Sequence, residues 1–371
     1  MDLSLNELQT MLADSVSKFI DNEYDFDTRQ KYAASERGFS DEVWSTFAEL
    51  GWTAVPFAEE DGGIGGGPVD VMVFMQSLAR GLVVEPYLSN IVLAGGVLSR
   101  AANEGQRERW LHPVIAGELH ATLAWHEPQS RYDIANVATT ATQDGDEWVL
   151  NGIKGVVLNG DTADLVIVPA RTAGDATDTD GITLFAVPAA SLSRSAYATV
   201  DGLRAAEISL SDVRVAADNV LGPVGGGFAA LDETIDDAIL AVCAEAVGIM
   251  HVLKDKTVEY SKQRQQFGVP IGTFQALQHR MVDMLMACEK AQSLLMWAVM
   301  TRAEGGDVKR AVSSIKYLVG TAGQELGEEA VQIHGGMGVT WDLDVAHFFK
   351  RLTVINHIFG NADFHLDRLA A

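Results

Sequence analysis

The sequence predicts an α+β protein laid out as helices, then strands, then longer helices. Three observations carry this. Leu5, Leu8, Leu12, Val16 and Phe19 recur at helical spacing near the start. From about Ala121 to Leu221 the texture changes to short β-branched runs broken by Gly, Asp and Asn. From Gly225 onward helical periodicity returns, with Phe274, Leu277, Met281, Met284, Leu285, Cys288 and Ala291 forming one stripe. The divisions predicted are a helical domain over 1–118, a β domain over 119–222 and a helical bundle over 223–371.

Taken in order, Ser40 is a candidate N-cap, with Asp41 and Glu42 in the first turn and Gly51 as the stop. EEDGGIGGG, Glu59 to Gly67, reads as a loop, and helical patterns resume from about Asp70. Asp144-Gly145 and Asn151-Gly152 both read as hairpin turns. LVIVPA, ITLFAVP and AEISLSDVRV follow as strands, with TAGDATDTDG as a polar loop. No short-period repeat is present.

With 371 residues and 47% hydrophobic content the chain is ample for a large core. No apolar run reaches the roughly 18 residues of a membrane helix. The opening MDLSLNELQ lacks the features of a signal peptide, so a cytoplasmic protein is expected. Cys243 and Cys288 sit in apolar helical patterns and read as reduced, buried thiols, with no metal site. Acids outnumber bases 51 to 27, which argues against nucleic acid or an anionic membrane as partner.

Five stretches carry a resemblance to the acyl-CoA dehydrogenase family across essentially the whole chain. AEEDGGIGGG resembles its PEEYGGLG loop. DGDEWVLNGIKGVVLNGDTADLVIV is similar to its GDxYVLNGxKxWITNGxxAD hairpins. DGLRAAEISLSDVRVAADNVLG is similar to its exit strand. RQQFGVPIGTFQALQ (Arg264 to Gln278) resembles RxxFGxPIxxFQxxQ, and QIHGGMG (Gln332 to Gly338) resembles QxxGGxG. The resemblance implies a helical N-terminal domain, a β-barrel or sandwich in the middle and a C-terminal four-helix bundle. It implies FAD lying at a subunit interface, with one protomer's β domain on the isoalloxazine and the other's C-terminal helices on the diphosphate and adenosine. Carried over by position, the cofactor-binding residues are Arg264, Gln266, Phe267, Gln275, Gln332, Gly335, Gly336, Asn361 and Asp363. An arginine suits a diphosphate through its permanent charge and planar fork. Paired glycines let backbone N–H groups approach phosphate oxygens.

The same resemblance exposes departures. The family's catalytic glutamate, in IYEGTxE, falls on Phe359, within Ile358-Phe359-Gly360-Asn361-Ala362-Asp363. The alternative base position of some relatives falls on Ala238, beside Asp236 and Asp237. A one-residue shift turns a side chain by about 100°, so both acids are poor substitutes. The flavin-facing TEPxAGSD becomes His126 to Asp133, with His126 for threonine and Tyr132 for serine. WIT becomes Val156-Val157-Leu158. The residues offered to a neighbouring chain's FAD are thus kept, and those serving the chain's own ring and acyl-CoA substrate are altered. The expectation is one subunit of a heteromeric acyl-CoA dehydrogenase acting in fatty-acid or steroid side-chain β-oxidation, similar to the small-subunit type. Its partners would be a glutamate-bearing second subunit and an electron-acceptor flavoprotein. The alternatives are a self-sufficient flavoenzyme, as a homodimer or tetramer, with Asp237 or His126 as an unorthodox base, and a non-catalytic scaffold.

Overall fold

A computed structural model describes residues 5–370. The first helices are α1 (Glu7–Glu23), α2 (Phe26–Ala33), α3 (Asp41–Glu49), α4 (Pro68–Leu78), α5 (Gly96–Ala101), α6 (Glu104–Gln106) and α7 (His112–Ile115). Strands follow: β1 (Ala121–Leu123), β2 (Thr140–Asp144), β3 (Glu147–Leu158), β4 (Leu165–Arg171), β5 (Ile182–Pro188), β6 (Ser193–Ala198), β7 (Arg204–Ala216) and β8 (Val220–Leu221). Then come α8 (Phe228–Gln263), a hairpin of β9 (Gln265–Gln266) and β10 (Val269–Pro270), α9 (Gln275–Glu304), α10 (Val308–His334), α11 (Asp344–His357) and α12 (Ala362–Ala370). Two compact units result. A helical unit takes in residues up to Lys31, Gly67–Val83 and Ile239 onward; a β unit takes in Tyr32–Gly66 and Val84–Ala238.

In the helical unit α10 is central, packing on α9, α11 and α12, while α4 packs on α1 and α9. The N-terminus of α1 is fixed by a reciprocal cap between Asn6 and Gln9. Its buried face is Gln9, Val16, Phe19 and Ile20, whereas Leu8 is 75% exposed. The α9 stripe divides in the same way. Met284, Cys288 and Ala291 are buried, but Phe274 and Leu285 stay exposed. Both cysteines are free and buried.

In the β unit the sheet order is β6-β7-β3-β2-β4-β5-β8, with β1 added in parallel on β4. Trp148, Leu150, Val166, Val168, Phe185, Val187, Ile208 and Val215 form its core. Ser40 caps α3 by accepting the Val43 N–H at 3.3 Å, and Gly51 follows the helix in the left-handed region. Gly145 turns β2 into β3, pairing Asp144 with Glu147. Asn151-Gly152 is not a turn. It lies inside β3, where the register against β7 shifts between Leu150 and Gly152. A Cβ on Gly152 would lie 2.4 Å from the Thr139 hydroxyl, and Asn151 exchanges hydrogen bonds with Asp212 across the shift. The glycine therefore marks a bulge and a close approach rather than a reversal.

Candidate functional site

In the helical unit the expected diphosphate and adenosine residues gather where α8 and α10 end. Tyr260, one turn before Arg264, stacks on His334 with ring centroids 4.3 Å apart, and its hydroxyl donates to the His334 carbonyl at 3.3 Å. That pairing sets the end of α8 beside the Gly335-Gly336 turn. Ile271 N–H donates to the Arg264 carbonyl at 2.8 Å, which closes the β9–β10 hairpin back onto α8 and leads directly into Gln275 at the start of α9. Arg264, Gln266, Phe267, Gln275, Gln332, Gly335 and Gly336 are all exposed. Among the described residues Arg264 has no ion-pair partner. A Cβ on Gly335 or Gly336 would meet nothing within 4 Å, so the backbone there is open. Phe267 is 93% exposed with φ +53°, at the tip of the hairpin. An uncovered aromatic held in that region is strained unless something else holds it. A free guanidinium, two amides and an open glycine turn are a donor set that fits an anionic diphosphate and its nucleoside.

Asn361 and Asp363 lie at the start of α12. Asn361 caps α12 by accepting the Phe364 N–H at 3.0 Å, and Asp363 lies exposed in the first turn of that helix.

The turn carrying Phe359 is closed on itself. Phe359 is buried, with φ +57°. Its carbonyl bonds the ring of buried His365 at 3.0 Å. Lys316, fully buried, donates to the carbonyls of Ile355, Asn356 and Gly360 at 2.8, 3.2 and 2.5 Å. Burial brings the Lys316 ammonium down to about 8. Gly360 sits at φ +105°, and a Cβ there would lie 2.5 Å from the Phe364 ring. The side chain at 359 is a hydrocarbon, and Lys316 and His365 are bonded to the carbonyls around it.

In the β unit the segments carrying His126 and Val156 lie side by side. Gly155 N–H donates to the His126 carbonyl at 2.9 Å. Beneath them Lys154 and Glu127 form a buried ion pair at 2.6 Å. Lys154 also donates to the Pro169 carbonyl at 2.7 Å, and Glu127 accepts from Ala138 N–H at 2.8 Å and Gln129 at 2.7 Å. Burial works to raise the Glu127 carboxyl, but Lys154 and these hydrogen bonds outweigh it and bring it down to about 2. Sequence reading missed this pair; its one signal was a lysine inside an otherwise apolar strand. Val156 has φ +49° and is 43% exposed, while Val157 is buried. Tyr132, in the serine position, has its phenol raised by burial.

Asp237 is engaged elsewhere. It forms a short ion pair with Arg100, which also reaches Glu233 at 3.5 Å. That ion pair ties the carboxylate to Arg100, so the geometry favours a structural role. Among the described residues no cluster of His, Cys, Asp and Glu could hold a metal, and no helix is long and apolar enough to cross a membrane.

The sequence models of the acyl-CoA dehydrogenase N-terminal, middle and C-terminal domains match residues 6–118, 122–213 and 225–371. A 3-(aryl)acrylate reductase of Clostridium sporogenes is 30% identical over 332 residues, 88% of either chain. Among solved structures, the Tcur3481-Tcur3483 steroid ACAD superposes with a TM-score of 0.88 at 29% identity, over 99% of this chain and 98% of that one. The ChsE4-ChsE5 complex of Mycobacterium tuberculosis gives a TM-score of 0.90 at 25% identity, over 100% and 98%. The chain belongs to the acyl-CoA dehydrogenase family. It is a flavoprotein oxidoreductase acting on CH–CH bonds, and its cofactor is FAD.

Proposed function

We propose that this chain is the base-deficient subunit of a heteromeric acyl-CoA dehydrogenase, supplying the diphosphate-and-adenosine clasp for FAD whose ring rests on a partner chain. The observation that carries the reading is the contrast between Phe359 and the clasp. The base position holds a buried phenyl ring in a turn whose polar atoms are internally satisfied. Arg264, Gln275, Gln332 and the Gly335-Gly336 turn are exposed. Uncovered Phe267, Val269, Phe274, Met337, Val339 and Trp341 beside them suit contact with another protein. The similarity to the Tcur3481-Tcur3483 steroid ACAD and the ChsE4-ChsE5 complex, each a pair of chains, supports the heteromeric form.

In this reading Arg264 neutralises phosphate charge, Gln275 and Gln332 hold the polar arm, and the glycine turn admits the phosphates. FAD held by these residues would supply the acceptor for the hydride removed from the acyl-CoA β-carbon. The α-proton goes to a glutamate of the partner. The substrate class is an acyl-CoA thioester, and an electron-acceptor flavoprotein reoxidises the enzyme.

General-base catalysis contributes roughly 10²–10⁴-fold. Steady-state turnover with a ferrocenium-type acceptor should therefore be slow or absent for the lone chain and appear on co-expression with a glutamate-bearing partner. Family-level turnover by the lone homo-oligomer would overturn the reading.

A further inference from the structure

Lys256, Tyr260 and Arg264 follow one another at spacings of four and so lie on one face of α8. Helical bonding runs through to the last of them, because Arg264 N–H donates to the Tyr260 carbonyl at 2.8 Å. The other two are tied to the segment that leaves α10. Tyr260 stacks on His334, with 28° between the rings, and donates its hydroxyl to the His334 carbonyl. Lys256 pairs with Asp344, in the first turn of α11, at 2.8 Å. The two ties bracket residues 335–343 at either end. Between them Gly338 folds the segment back on α10, where a Cβ would lie 2.7 Å from the Val331 carbonyl.

These ties order a segment that the core does not hold. Met337, Val339 and Trp341 are 50, 69 and 65% exposed. Ordering an exposed stretch costs chain entropy with little apolar burial to offset it. The ring that Tyr260 meets is itself fixed: His334 is buried, and its Nδ1 bonds the Ala330 carbonyl at 2.7 Å. A ring of α8 stacked on a fixed ring of α10 sets the spacing between Arg264 and the Gly335-Gly336 turn before any ligand arrives. A site shaped in advance spares its ligand that ordering cost, which is a gain in affinity.

We propose that Tyr260 is a positioning residue for the adenosine-diphosphate arm of FAD, and that with the Lys256–Asp344 pair it keeps the clasp pre-formed in this chain alone. Tyr260 need touch no phosphate: it acts by holding Arg264 opposite the glycine turn. The inference rests on the clasp reading above and adds that no partner is needed to shape the clasp.

The test is isothermal titration of the flavin-free chain with ADP, which carries the diphosphate and adenosine without the ring. Wild type should bind ADP with no partner present. Tyr260→Leu and His334→Ala, which remove the stack from either side, should each weaken ADP about tenfold or more. Tyr260→Phe keeps the stack and should stay within about threefold of wild type. Tyr260→Leu added to Arg264→Ala should cost less than about threefold beyond Arg264→Ala alone, a non-additivity that a general loss of stability would not give. Far-UV circular dichroism identifies the folded variants, and either stack variant suffices. Absence of ADP binding by wild type would overturn the proposal. So would an affinity within about threefold of wild type in a folded Tyr260→Leu or His334→Ala, or losses that add in full. FAD retention by Arg264→Ala in the co-expressed complex tests the clasp itself, so a clasp that needs Arg264 but not Tyr260 sinks this proposal alone.

Discussion

The helical unit holds two regions built from the same kinds of groups and finished in opposite ways. At the ends of α8 and α10 the polar groups are open: among the described residues Arg264 has no ion pair, Gln275 and Gln332 are exposed, and the glycine turn is uncovered. At the end of α11 the groups around Phe359 are consumed internally. Lys316 takes three carbonyls, His365 takes a fourth, and Asn361 caps α12. A polar group left open on a surface is available to a ligand. One buried and satisfied is fixed, because breaking its bond strands a donor or acceptor at a cost of about 1–3 kcal/mol. The first region is equipped to bind, and the second to hold a shape.

The largest effect expected from breaking this contrast is at Phe359. Phe359→Glu puts a carboxyl in a buried turn that already holds a non-glycine residue at positive φ. Turnover of the FAD-loaded lone chain should rise roughly 10²–10⁴-fold. No rise in a folded, loaded variant would show that the turn does not present the base. Next is the β-unit support: Lys154→Met strands the buried Glu127 carboxylate and should cost about 3–5 kcal/mol in denaturant unfolding. A loss under about 1 kcal/mol would mean the pair supports nothing.

Lys316 gives a pH test. Its folded pKa, about 8, lies below the unfolded 10.5. The unfolded chain therefore binds more protons between these values, and stability rises with pH across that window. The charging penalty is full below about pH 8 and relieved by about 10.5, worth at most about 3 kcal/mol. Unfolding of wild type against Lys316→Met should show this rise only in wild type; parallel curves would contradict the assignment. The smallest effect is at Asp237. Its ion pair with Arg100 is partly exposed, so Asp237→Asn should change stability by less than about 1 kcal/mol and leave turnover unaltered. A fall in turnover of tenfold or more would restore it as a base.

Much of this was legible in the sequence. Helical and alternating periodicities located the helices and strands, and Ser40 and Gly145 act as read. Arg264 to Phe267, Gln332 and the Gly335-Gly336 turn proved exposed, with Tyr260 stacked on His334 joining the two stretches. Asn151-Gly152 misled because the dipeptide that makes a tight turn also makes a bulge, and only the packing of Thr139 against Gly152 distinguishes them. The exposed members of the α9 stripe, Phe274 and Leu285, could not be told from core, since periodicity reports an apolar face and not what covers it. Lys154–Glu127 and the Lys316 carbonyl cage were invisible because each joins residues far apart in the chain.

The measurement that tests the account most directly is FAD retention and turnover of the co-expressed complex with single changes in this chain. A charged hydrogen bond to phosphate contributes about 1.5–3 kcal/mol. Arg264→Ala should therefore weaken FAD retention about tenfold or more, and lower turnover accordingly. Phe359→Leu should leave both unchanged. Retention indifferent to Arg264, together with turnover lost on changing Phe359, would contradict the division of labour proposed for this chain.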